Sequence, residues 1–148
     1  MGDECFACAT AEGRAEAPGG VIAETDHWLV DHCIGPLGVG TLIVKPKRHV
    51  VHVADLEAAE AAELGPLLRR TSDVVTKLTR PEQVYVTLWS HMGAVPVHIH
   101  FVVQPVTRAL MDELGVHGLR LQVAMFDRRE PPAPDQASSF AERARALF

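Results

Sequence analysis

The chain has 148 residues, of which 47% are hydrophobic and 22% charged, with a formal net charge of -5 at pH 7. That length supports one core and a single domain over 1–148, and the composition excludes a disordered or disulfide-built chain. The acidic balance argues against a nucleic-acid partner, whose many phosphates call for a basic surface. No stretch approaches the ~20 apolar residues of a membrane span.

Met1-Gly2-Asp3-Glu4 lacks the basic start and apolar run of a leader, so a cytoplasmic location is expected. There the three cysteines stay reduced and free to bind metal. Cys5-Phe6-Ala7-Cys8 reads as a tight turn, followed by a loop through Pro18-Gly19-Gly20. Val21 to Thr25 and Trp28 to His32 form a hairpin, and Thr41 to Lys45 is a β-branched strand ended by Pro46.

From Asp55, a candidate N-cap, to Leu78 the apolar positions recur at helical spacing, with a kink or break expected at Gly65-Pro66. Gln83 to Trp89 is a strand, Ser90 to Ala94 a loop, and Val95 to Pro105 a second strand antiparallel to it. Thr107 to Leu114 reads as a short helix. The alternating apolar positions Leu119, Leu121, Val123 and Met125, with Phe126, predict an added strand that closes the sheet or joins a dimer contact. Pro131-Pro132-Ala133-Pro134 is a stiff spacer before a helix over Ser139 to Phe148.

The strand Val95 to Pro105 carries the chemistry. Alternation puts Val97, Ile99, Phe101 and Val103 on one face, and His98, His100, Val102 and Gln104 on the other. A core-anchored imidazole can serve as nucleophile or as general acid and base near neutral pH. The plain alternative is a histidine satisfied by a backbone carbonyl. The CxxC pair is by itself half a zinc site, a redox pair or two small buried thiols. Its place before any strand disfavours redox use, and His49 and His98 are candidates to complete a tetrahedral Cys2His2 set.

His98-Ile99-His100-Phe101-Val102-Val103 resembles the histidine triad (HIT) motif of nucleotide hydrolases and transferases. Val44-Lys45-Pro46-Lys47-Arg48-His49 resembles the family's IPKKH segment. Pro36 stands ten residues before Pro46 and Gly93 five before His98, both as in the family. Cys5 and Cys8 match the zinc-binding pair of many bacterial members, so the likeness covers roughly Cys5 to Pro105, with 106–148 as a carboxy-terminal extension.

The resemblance implies an α+β, HIT-like fold: an antiparallel sheet of about five strands with a long helix packed on it, in a homodimer. It also implies that His100 attacks the α-phosphorus of a small-molecule nucleotide or phosphate ester, forming a nucleotidyl-histidine, and that Cys5, Cys8, His49 and His98 hold a structural zinc. A second register, with Pro96 in the first triad place and His98 as nucleophile, displaces Gly93 and Pro105 by two. In the preferred register the third histidine is Val102. The family's ribose-holding acidic or amide position falls on Cys33, with Asp31 two residues away, its phosphate-facing Ser or Gln positions fall on Ala94 and Val95, and its Asn or Gln eleven residues before the first histidine falls on Thr87. Ser90, His91 and Gln104 are the candidates to compensate as substrate contacts. These departures keep a weakened, nucleotide-binding protein as the alternative to an enzyme. An open-site zinc hydrolase is the weakest reading, for want of a third ligand and a base.

Overall fold

The computed structural model describes residues 5–148. Short α1 (Phe6–Ala11) precedes β1 (Ala23–Glu24), β2 (Trp28–His32) and β3 (Leu42–Pro46), and α2 (Ala58–Thr79) then leads to β4 (Gln83–Met92) and β5 (Val95–Val106). Every strand pairing is antiparallel and the order is β1-β2-β3-β5-β4, so β5 is an interior strand between β3 and β4, and β4 lies at an edge. This is the expected α+β arrangement.

Gly93 turns the β4–β5 hairpin at φ +61, a left-handed conformation suited to tight hairpins. The loop expected over Ser90 to Ala94 is therefore shorter: Ser90, His91 and Met92 continue β4. The pairing shifts between Trp89, opposite His100, and His91, opposite Pro96.

Helix α2 packs on one face of the sheet, joining Leu67, Val74 and Val75 to Trp28, Val30, Leu42, Val44 and Val103. Contrary to the expected break, it runs continuously past Gly65 and Pro66. Both of these residues are exposed, so the backbone bond that proline forfeits lies away from the packed stripe that holds the helix. Its N-cap is Glu57 and not Asp55, because the Glu60 carboxylate accepts the Glu57 N–H at 2.8 Å in a capping box. Asp55 instead ends a 3-10 turn, Val53–Asp55.

Beyond β5 the chain forms α3 (Arg108–Leu114), α4 (Leu119–Arg128) and α5 (Pro134–Arg145). The added strand expected over Leu119 to Phe126 is thus a helix. Leu121, Gln122 and Met125 turn inward at helical spacing while Leu119, Val123 and Phe126 are exposed, and Gly118 on one side and Pro131-Pro132 on the other bound the segment. Helix α5 starts at Pro134, ahead of Ser139, with proline in the first turn where its missing N–H is harmless. Its Phe140, Ala141 and Ala144 enter the α2-side core.

The loop before β1 is pinned to α5. A Cβ on Gly19 would stand 2.5 Å from that of Ala141, so no larger residue fits, and Arg145 donates to the carbonyls of Gly19 and Val21. Among the described residues no helix is long and apolar enough to cross a membrane.

Candidate functional site

Cys5, Cys8, His49 and His98 converge, their donor atoms all within 4.8 Å of one another. His98 Nδ1 lies 3.6 Å from Cys5 Sγ and 3.5 Å from Cys8 Sγ, and His49 Nδ1 lies 3.2 Å from Cys8 Sγ. A tetrahedral ion bonded to sulfur at about 2.3 Å and to nitrogen at about 2.0 Å sets such atoms about 3.6 Å apart, so the donor set fits zinc in chemistry and spacing. The Nε2–H of His98 donates to the Pro46 carbonyl at 2.7 Å, which leaves the lone pair on Nδ1 facing the thiols. Burial holds His98 neutral, its pKa lowered to about 4, as a ligand must be. Burial, with the Cys5 thiol beside it, pushes Cys8 up to about 11, a shift that a bound dication reverses.

Two residues along β5, His100 donates its Nδ1–H to the His98 carbonyl at 3.1 Å. The tautomer is thereby fixed and the Nε2 lone pair left available. His32 makes the contrast: its Nδ1–H donates to the Cys33 carbonyl at 2.8 Å while its Nε2 accepts the Gly40 N–H at 3.0 Å. With both nitrogens engaged, His32 is a structural histidine.

The sheet face opposite α2 carries His100. Ile43 pairs with Val102, so alternation brings Lys45 beside His100 on that face. Lys45 is bonded at 2.5 Å to Asp31, and both are almost wholly buried. The Phe6 ring, one residue past Cys5, lies 5.7 Å from the Lys45 ammonium. Burial raises the Asp31 carboxyl above its ordinary value while Lys45 pulls it down. Sequence reasoning missed this pair. Its signal is a charged residue within each of two apolar strands, which requires a partner if buried.

Helix α4 covers the rest of the face. Cys33, Leu37 and Val102 form a second apolar cluster with Ile43, Trp89 and Met125, and Trp89 meets Phe126 edge to face at 5.4 Å. Two of the expected substrate contacts are enclosed there. Cys33 is buried, and burial pushes its thiol up to about 11. Gln104 is buried with its amide engaged: Nε2 donates to the Leu37 carbonyl at 3.2 Å and to Met125 Sδ at 3.1 Å, and Oε1 accepts from Gln122 at 3.0 Å. Each is instead engaged by an internal partner, Cys33 by the Gly35 N–H and Gln104 by α4 and the Leu37 loop. Ser90 falls within the register shift and His91 just past it, at the hairpin end of β4.

No family model and no curated protein matches the chain. Solved structures do. A zinc-bound histidine triad family protein from Mycobacterium smegmatis is 21% identical and superposes with a TM-score of 0.69 over 97% of this chain and 92% of its own. A hypothetical histidine triad nucleotide-binding protein from Sulfolobus tokodaii is 15% identical, with a TM-score of 0.73 over 97% and 91%. A Hit-like protein involved in cell-cycle regulation from Bartonella henselae, solved with an unknown ligand, is 13% identical, with a TM-score of 0.74 over 100% and 98%. The chain has the histidine triad fold.

Proposed function

On this histidine triad fold, we propose that the chain binds nucleotides and that His100 is its nucleophile. Nε2 attacks the α-phosphorus of a nucleoside phosphate, the leaving group departs with the electron pair of its bond to phosphorus, and a nucleotidyl-histidine remains for water or another acceptor to resolve. The carrying observation is the Nδ1–H bond of His100 to the His98 carbonyl, which orients the ring on a core strand and leaves Nε2 as the nitrogen that can react. The Sulfolobus tokodaii protein, described as nucleotide-binding, supports the substrate class.

Cys5, Cys8, His49 and His98 hold a structural zinc in this reading. All four positions are filled by protein, so the ion takes no part in the reaction. The cluster's spacing and the zinc-bound Mycobacterium smegmatis protein support it. Ser90 and His91 remain the candidate substrate contacts, at the hairpin end. A second copy of the chain covers the edge strand β4, where Val86 and Leu88 are exposed.

The test is incubation with adenosine phosphoramidate and intact-mass measurement. An adenylyl adduct on wild type that is missing from His100→Ala supports the proposal; equal labelling of the two overturns it. One observation favours the weakened alternative. Val102, in the third triad place, is packed against Cys33 and Leu37 and brings no donor. Nucleotide binding by calorimetry with neither adduct nor turnover would establish that alternative.

A further inference from the structure

Trp89 stands directly opposite His100 in the β4–β5 pairing. Such partners share a face of the sheet, with Cβ atoms about 4.5–5.5 Å apart. An indole has one donor and no acceptor. The Nε1–H of Trp89 is buried and, among the described residues, has no hydrogen-bond partner. The other tryptophan, Trp28, donates its Nε1–H to the Glu60 carbonyl at 2.9 Å. A buried donor without an acceptor is unfavourable, and phenylalanine would fill much of the same space without that penalty.

The Trp89 ring is held by the Cys33, Leu37 and Val102 cluster and by Phe126. Phe126 is itself 39% exposed, so it is the ring that a ligand reaching the indole would have to displace. The register shift falls directly after Trp89, the kind of irregularity that re-aims side chains beside active sites. Phosphoryl transfer spreads negative charge over non-bridging oxygens, and a pre-positioned donor stabilises it. Val102 cannot supply one.

We propose that the Trp89 Nε1–H donates to a non-bridging oxygen of the phosphoryl group bound at His100, in the part left open by Val102. The proposal rests on the reading of His100 given above. The sequence has 2 tryptophans, so a protein labelled with 15N at tryptophan gives two indole signals, assigned by the loss of one in Trp89→Phe. That variant keeps an aromatic ring, and its Trp28 signal reports whether the core is intact.

Titration of wild type with AMP, inorganic phosphate and adenosine separates the outcomes. Movement of the Trp89 signal by AMP and phosphate but not by adenosine, with Trp28 unmoved, supports the proposal. If AMP moves the His100 ring signals of a second sample labelled with 15N at histidine, assigned by their loss in His100→Ala, and leaves the Trp89 indole unmoved, the proposal falls while the His100 reading stands. If adenosine alone moves the indole, the acceptor is on the nucleoside and the proposal falls. If none of the three binds, both readings fall. In turnover of adenosine phosphoramidate, Trp89→Phe should lose about a hundredfold in kcat with KM little changed; an unchanged kcat overturns the proposal.

Discussion

His98 and Pro46 are joined by a 2.7 Å bond from ring Nε2–H to carbonyl oxygen. This bond selects the nitrogen that faces Cys5 and Cys8 and holds the ring where a metal ligand has to be. Protein purified without chelator should therefore contain one zinc per chain by elemental analysis. Cys8→Ser and His98→Ala should each lose it, and chelation of wild type should lower Tm, since binding at such a site is coupled to folding. Full zinc in His98→Ala would refute the assignment.

His100→Ala should separate chemistry from stability. On the role proposed for His100, turnover should fall at least about a hundredfold. Zinc content should be unchanged and the unfolding free energy moved by less than about 1 kcal/mol, because the ring is only half-buried. His98→Ala should do the reverse, with zinc and stability lost first. If His98→Ala abolishes adduct formation with its zinc intact, the nucleophile is His98.

Asp31→Ala strands the Lys45 ammonium among Phe6 and the sheet, and removing one partner of a buried pair typically destabilises by about 3–5 kcal/mol. The double variant Asp31→Leu/Lys45→Met should recover most of that loss. Urea unfolding of the wild type, the single and the double variant decides it; equal losses would show that packing, not the stranded charge, dominates.

Gln122→Ala should destabilise by about 1–3 kcal/mol, because the buried Gln104 Oε1 then loses its donor. The loss should appear in urea unfolding, with faster amide exchange in α4. Unchanged exchange would show that Met125 and Leu121 alone hold the helix.

The His27–Glu63 pair supplies a pH signature. Glu63 raises His27 above 6.5 by accepting from Nδ1 at 2.7 Å, and bonds from Thr25 and His27 lower Glu63 below 4.5. A raised His contributes stability that is full below 6.5 and fades as pH rises through its folded value. A lowered Glu contributes stability that is full above 4.5 and fades as pH falls through its folded value. The Tm gap between wild type and His27→Gln should thus be widest between these two ordinary values and shrink towards either side. A gap that is flat with pH would contradict the pairing.

Local patterns made most of the frame legible. Alternation placed β5, two-residue spacing placed its histidines, and CxxC with His49 and His98 named the cluster that the fold gathers. Other features depend on partners distant in sequence. Gln104 reads as a polar substrate contact on the His100 face until Gln122 and Met125 of α4 are laid over it. The apolar run of α4 satisfies period two as well as a helical stripe, and only the bounding glycine and prolines favour the helix. Trp89 reads as filling for a strand, since nothing local reveals an indole N–H without an acceptor.

The delivery of Phe140, Ala141 and Ala144 to the α2-side core also affects how the protein is made. During synthesis on the ribosome, β2, β3, α2 and β5 all emerge before the segment that closes their common face. Until Ala144 has been translated, Trp28, Val30 and Leu42 lack part of their cover. The nascent chain therefore passes through an interval of exposed apolar surface in which holdase chaperones have something to grip.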